Sequence, residues 1–260
     1  MNYDTIDFKI KENIAHITLN RPERMNSFDI KLGEELLDAL NEIKKQNQLR
    51  AVVIMGTGNG FCGGGDVKEM YLAKDKSNYL RQLTKIIHKC VMALRDLEKP
   101  VIAGINGAAY GAGLSLALAC DIVIAVKSAK MNTAFIGIGL APGCGTQFFT
   151  KIVGYQKACE YIMMSKTFDA EKAKELGLVN DVVDEKNLDL AINKIVEKFK
   201  KLPPIAVGKG KMLINKSLEN DILTHLDLES RTAAYTAGTN DFEEGVTAFV
   251  EKRKPVFIGK

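Results

Sequence analysis

Three short apolar runs constrain the fold more than any other feature of the sequence: AVVIM at 51–55, VIAGI at 101–105 and DIVIAV at 121–126. Each is too short for a typical helix and too continuously apolar for a strand with one wet face. Runs of this kind are strands of a sheet covered on both sides. The segments between them supply the covering helices. Across residues 29–46 the apolar residues Ile30, Leu36, Leu37, Leu40 and Ile43 recur at helical spacing, with Ser27 or Asp29 placed to cap the start. Across 77–97 a second amphipathic helix runs through Leu80, Leu83, Ile87, Val91, Leu94 and Leu97, and stops before Pro100. Two further strands, at 6–10 and 14–19, precede these elements and meet at the turn residues Glu12-Asn13. Strand and helix alternate to about residue 165, which predicts an α/β body. Beyond it, 169–177, 187–201, 204–216, 222–238 and 240–252 read as helices, with Gly177 and Pro203-Pro204 as stops. The expected division is an α/β core over residues 1–200 and a helical C-terminal region over 201–260.

Composition excludes several classes of function. The net charge of +4 is mild, and the lysines alternate with acids on helix faces, as in GEELLDALNEIKK. No basic stripe with interleaved aromatics appears, so no nucleic-acid partner is expected. The five cysteines, Cys62, Cys90, Cys120, Cys144 and Cys159, are odd in number and form no C-x-x-C pair. That argues against a disulfide framework and a metal site and fits a reducing cytoplasm. MNYDTIDFKI is not a signal or transit peptide, and no apolar run approaches the ~18 residues of a membrane span.

The stretch GFCGGGDV at 60–67 follows AVVIM directly, and Gly58, Gly60 and Gly63 spell G-x-G-x-x-G. A dinucleotide fold needs that motif to open into a helix, with a second strand and an acidic residue about twenty positions on. Here a long helix follows and no strand appears until Val101. A P-loop is excluded as well, because no Gly-Lys-Ser/Thr follows the glycines. A second small-residue stretch, INGAAYGAG at 105–113, also follows an apolar strand and runs into LSLALAC. Two such turns can aim two main-chain N–H groups at one point, which is how an oxyanion hole is made. The other reading is that the glycines serve only tight packing, and the residues alone leave both open.

Five blocks in order resemble the crotonase superfamily, the enoyl-CoA hydratases and isomerases: LNRPERMNSF at 19–28, GFCGGGDVKEM at 60–70, KPVIAGINGAAYGAG at 99–113, ACDIVIA at 119–125 and FEEGVTAFVEKRKPVF at 242–257. The resemblance implies a spiral of ββα units whose C-terminal helices mediate a homotrimer or a dimer of trimers. It implies an acyl-CoA or acyl-carrier thioester as substrate and no further cofactor. The residues matching the two oxyanion donors are Gly65 and Ala112. Arg24 and Met25 match a segment lying along the coenzyme. Gly63, Asp66 and Val67 belong to the matching glycine block, and Phe249 and Lys252 match C-terminal positions that reach the coenzyme from the same or a neighbouring subunit.

The sequence also departs from the family pattern. The two positions that carry a hydratase's glutamates are Ser115 and Phe135, and neither can take up a proton near neutral pH. The flanking sequence, including LDLE and the FIGK ending, is similar to phenylacetate-pathway isomerases. In those enzymes an aspartate follows the proline matching Pro142, whereas this chain has Gly143. The acid-free loop is shared with decarboxylases of the superfamily, which use a lysine and histidine pair. Lys74, Lys76 or Lys85 could stand for the lysine, but no histidine lies near Tyr235. Decarboxylation generates its own enolate and needs only the oxyanion hole, while isomerisation needs a base. Tyr110, Ser115, Cys62 and Cys144 are thin candidates, with packing as the competing role. Asp66 reads as a helix cap, and His16, His88 and His225 as structural or surface residues. The expected chemistry is isomerisation or decarboxylation. The alternatives are a conventional hydratase with another base, or a silent acyl-CoA- or protein-binding member.

Overall fold

A computed structural model describes residues 2–260. The chain opens with a hairpin of β1 (Ile6–Lys11) and β2 (Ile14–Leu19), in a register that pairs Ile6 with Leu19 and Lys11 with Ile14. Its turn residues Glu12 and Asn13 have φ of 49° and 63°, a left-handed pair whose twist suits a two-residue hairpin. α1 (Ile30–Lys45) begins where Asp29 Oδ1 accepts the Leu32 N–H at 2.7 Å, and it buries Leu32, Leu36, Leu40 and Ile43.

Three passes of the chain then repeat one pattern. β3 (Ala51–Gly56) leads to β4 (Gly60–Cys62), α2 (Val67–Leu72) and α3 (Lys76–Asp96). β5 (Val101–Ile105) leads to β6 (Ala108–Tyr110) and α4 (Ala112–Ala119). β7 (Ile122–Val126) leads to β8 (Lys130–Asn132), a loop with a short 3-10 turn, and α5 (Thr146–Val153). α6 (Tyr155–Ala158), β9 (Phe168–Asp169), α7 (Ala170–Glu175), β10 (Asp181–Val183) and α8 (Leu188–Lys200) complete the body. The first strand of each pass joins a six-stranded sheet, order β1-β2-β3-β5-β7-β10, and the second joins a four-stranded sheet, order β4-β6-β8-β9. The large sheet is parallel from β2 onward, and β4, β6 and β8 are parallel in the small one. This is the α/β spiral of ββα units.

The second sheet corrects one expectation. Sequence alone treats both glycine-rich stretches as loops running from strand to helix, yet each contains a three-residue strand, β4 or β6. Strands so short, and built partly from Gly and Ala, show no alternation to read.

Three helices follow the body: α9 (Pro204–Ser217), α10 (Ile222–Ala237) and α11 (Asn240–Val250). α9 packs closely on the core, where a Cβ on Gly208 would stand 2.4 Å from Glu98 O. Lys211 fastens the contact. Its side chain is 7% exposed, and Nζ lies 2.8 Å from Asp121 Oδ2 and donates to Leu94 O at 2.7 Å and Lys99 O at 3.2 Å. Burial pushes the Lys211 pKa down, and the Asp121 charge opposes that shift. α10 and α11 leave Leu223, Phe249 and Val250 exposed. Among the described residues no helix is long and apolar enough to cross a membrane.

Replacing Lys211 by Met is expected to lower stability by about 3 kcal/mol, because Asp121 and two carbonyls lose their shared cation. Urea denaturation measures this, and a loss under about 1 kcal/mol, as for an exposed pair, would remove the fastening role.

Candidate active site

Two glycine-lined arches face one cavity of about 130 Å³. The first arch is Gly63-Gly64-Gly65, leaving β4. Phe28 forms a one-residue parallel bridge with Gly65. Its N–H donates to Gly64 O at 2.7 Å, and its carbonyl accepts the Asp66 N–H at 2.8 Å. In this pattern the middle residue's own N–H points away from the bridging strand. Among the described residues the Gly65 N–H accordingly has no backbone acceptor.

The second arch is Gly111-Ala112. Gly111, at φ 51°, turns the chain from β6 into α4 and donates its N–H to Asn132 O at 2.9 Å. Ala112 is the first residue of α4, so its N–H is one of those a helix leaves without an internal acceptor. The arches touch at Gly64. At φ 101°, a Cβ there would stand 2.9 Å from Tyr110 O and 3.6 Å from Ala112 N. Gly65 and Ala112 both line the cavity. Unpaired N–H groups on a wall shielded from water can receive an oxygen that is gaining negative charge.

The remaining walls are apolar. Val67 and Met70 come from α2, and Leu80, Leu83, Thr84 and Ile87 from α3. Phe135, Ile138, Leu140, Gly143 and Cys144 come from the loop before α5. Among the described residues no carboxylate, histidine, lysine, arginine or tyrosine side chain lines the cavity, and Cys144 is the single titratable one that does. Burial pushes the Cys144 thiol up, while the Ser115 hydroxyl pulls it down.

The loop is fastened at both ends. Asn132 Oδ1 accepts the Ala134 N–H at 2.6 Å, and its Nδ2 donates to Ser165 O at 2.8 Å. The Phe135 N–H then donates to Thr133 O at 2.8 Å around Ala134, whose φ is 60°. That tight γ-type turn carries the Phe135 ring to the cavity wall. At the other end, His88 Nε2 lies 2.6 Å from Gly143 O, so the histidine expected to be a structural or surface residue ties the loop to α3.

Several positions take roles that sequence does not display. Ser115 is 4% exposed and lies outside the cavity wall. Its Oγ is 3.0 Å from both Gly111 O and Cys144 O, so its one proton is shared between two carbonyls. Asp66 is 3% exposed. Its Oδ1 caps α2 through the Lys68 and Glu69 N–H groups, and its Oδ2 faces Arg21, so its carboxylate is fully engaged within the chain. Tyr110 meets Gly64 through its carbonyl and does not line the cavity. Gly63 and Val67 do line it; Arg24 and Met25 do not, although Met25 O accepts the Gly63 N–H at 2.8 Å. Phe249 is 86% exposed and lines a separate groove with Phe242 and Phe257, and Lys252 lies outside the cavity wall. Lys85 lines a groove between α1 and α3, and Lys74 and Lys76 are outside the cavity wall. Cys62 is buried beneath Gly113, and burial raises its pKa to about 12.

Arg21, Asn26, Asn106 and Asn132 hold the arches, yet motif reading singles out none of them. Asn26 Nδ2 donates to Thr57 O and Gly60 O, both at 2.9 Å. Asn106 Nδ2 donates to Gly56 O at 2.9 Å and Gly58 O at 3.0 Å. The available signal is a side-chain amide beside small residues, which names a tether without naming what it ties. Among the described residues no group of three or more His, Cys, Asp or Glu stands together to hold a metal ion.

The fold is an α/β spiral of ββα units that brings the backbone of Gly65 and Ala112 to one apolar cavity. Residues 9–260 match the model of the enoyl-CoA hydratase/isomerase family, and the chain belongs to that family. It is 38% identical over 259 residues to YngF of Bacillus subtilis (strain 168), provisionally named an enoyl-CoA hydratase/isomerase, covering 98% of this chain and 99% of that protein. It is 34% identical over 254 residues to the 1,2-epoxyphenylacetyl-CoA isomerase of Escherichia coli (strain K12), covering 96% and 97%. The crystal structure of an enoyl-CoA hydratase from Bacillus anthracis superposes with a TM-score of 0.94 at 34% identity, covering 99% of this chain and 100% of that one.

Gly64→Ala is expected to cost about 1–3 kcal/mol through left-handed backbone strain, besides pressing a methyl group on Tyr110 O. Thermal denaturation measures the loss, and an unchanged melting temperature would mean that the arches are not in contact there.

Proposed function

We propose that the protein binds an acyl-CoA or carrier-bound acyl thioester, receives its carbonyl oxygen on the N–H groups of Gly65 and Ala112, and works through the resulting enolate. Each donor of this kind supplies roughly 3 to 4 kcal/mol when the negative charge develops. The observation carrying the reading is a cavity wall with two unpaired backbone donors and no carboxylate. The coenzyme portion is proposed to lie over Arg24 and Met25. Phe249 and Lys252 then reach it from a neighbouring copy in a homotrimer or dimer of trimers built on the exposed apolar faces of α10 and α11.

Within enolate chemistry, the proposed reaction is isomerisation in preference to hydration. Adding water to an enoyl thioester calls for a base on the water and an acid on the carbon. Ser115 and Phe135 supply neither. The choice rests on those two residues, since relatives of 34% identity include both an isomerase and an enoyl-CoA hydratase. Isomerisation moves a proton between atoms of the substrate, and Cys144 is the one lining group able to carry it. A second reading, decarboxylation of a malonyl-type thioester, is favoured by the same apolar wall, because loss of carbon dioxide forms the enolate without a protein base.

A panel of enoyl, epoxy and malonyl-type thioesters followed by mass spectrometry and chromatography separates these outcomes. Isomerisation is expected, as a change in retention at constant mass. Gain of water at ordinary hydratase rates would defeat the case against hydration, and loss of carbon dioxide would select the second reading. Cys144→Ala is expected to abolish isomerisation and to spare decarboxylation. Because burial raises the thiol's pKa above the ordinary thiol range, its basic form accumulates only as pH climbs through the alkaline range. The isomerisation rate is therefore expected to rise with pH across the alkaline range, and a flat profile would exclude Cys144 as the base.

A further inference from the structure

Arg21 lies behind the first arch, away from the cavity wall, and we infer that it is the positioning residue for the Gly65 N–H. The inference rests on the oxyanion reading above. The guanidinium joins three groups that surround the arch. Nη1 donates to Ser27 O at 2.5 Å, and Nη2 lies 3.1 Å from both Asp66 Oδ2 and Asp29 Oδ2. Each aspartate divides its work. One oxygen caps a helix, α1 for Asp29 and α2 for Asp66, and the other faces Arg21. The cation thus fixes two helix starts relative to each other, with side-chain exposures of 12% for Arg21 and 4% for Asp66.

The Gly65 peptide hangs between these anchors. Ser27, held by Arg21, immediately precedes Phe28, whose N–H and carbonyl grip Gly64 and Asp66. Asp66, held by Arg21 through its side chain, immediately follows Gly65. Gly65 itself has no side chain, so its amide is oriented by the Phe28 bridge, whose N–H holds Gly64 O in the same peptide plane, and by the Arg21 contacts that hold the two ends of that bridge. Arg21 is rooted in turn: its N–H donates to Asn26 Oδ1 at 2.9 Å, and its carbonyl accepts the Asn26 N–H at 2.8 Å. A lysine presents a single charged nitrogen and cannot span a carbonyl and two carboxylates in one plane. Simple stabilisation of the fold would ask for any cation here, whereas aiming the amide asks for the planar fork.

The test uses the full chain and crotonyl-CoA carrying 13C at the thioester carbonyl, with binding measured by titration and the carbonyl band by difference infrared spectroscopy. In the wild-type protein the bound band is expected at lower frequency than in water. Arg21→Lys is expected to bind the ester and lose most of that displacement. For whichever thioester is turned over, kcat and kcat/KM are expected to fall together by about 10- to 100-fold, as for a displaced transition-state contact. Should Arg21→Lys not fold, Asp66→Asn keeps the capping oxygen, breaks the ion pair and is expected to give the same spectrum. A lower melting temperature with the band still displaced in the variant would make Arg21 a structural residue only and overturn the inference. A wild-type protein that leaves the ester unbound or its band undisplaced would instead overturn the oxyanion reading, and the inference with it.

Discussion

Where β4 runs beside β6, main chain lies against main chain with no side chain between, and the candidate site depends on that contact. A Cβ on Gly107 would stand 2.0 Å from Asn59 O, and one on Gly113 would stand 2.3 Å from Cys62 O. Both distances are far inside contact range, so these glycines set how near the two passes of the spiral can come. Because β4 and β6 are parallel, both strands end on the same side, and each chain turns into its arch there. Glycine's lack of a side chain is used here for close approach, at the entropic cost such residues carry in the unfolded chain.

The charged groups near the site serve the scaffold. Asp29 and Asp66 cap helices and share Arg21, and Asp121 holds Lys211 and with it α9. Each is buried or half-buried and paired, as the cost of an isolated buried charge requires. The cavity is left with backbone dipoles, apolar side chains, one threonine and one thiol. Ser115 follows the same logic: a hydroxyl whose proton is shared between Gly111 O and Cys144 O is a fastener for the loop behind the cavity.

Much of the fold is readable from residue pattern alone. AVVIM, VIAGI and DIVIAV are apolar throughout because both faces of their sheet are covered, and the observed strands fall within a residue of those runs. The long helices are readable for the same kind of reason, since their apolar spacing extends over several turns and Asp29 marks one start. The second sheet is not readable. Its strands span two or three residues each, and its pairings join residues far apart in the chain. The site divides likewise. Gly65 and Ala112 are singled out by the family resemblance, since the glycine stretches alone leave packing equally open, whereas Arg21 looks like an ordinary surface cation until its two carboxylates, from different helix starts, are brought to it.

What the sequence by itself determined is an inventory: which runs are buried strands, which stretches lack side chains, and which positions, Ser115 and Phe135, carry no carboxylate. Tertiary structure decided what faces what. It turned Asp66 inward to Arg21, set Ser115 behind the wall, placed Phe135 and Cys144 on the cavity wall, and left the Gly65 N–H without a backbone acceptor among the described residues. The physical reason is that a residue's type sets what it can donate, accept or exclude. Whether that capacity is spent within the chain or left for a ligand depends on neighbours that only folding brings within hydrogen-bonding reach.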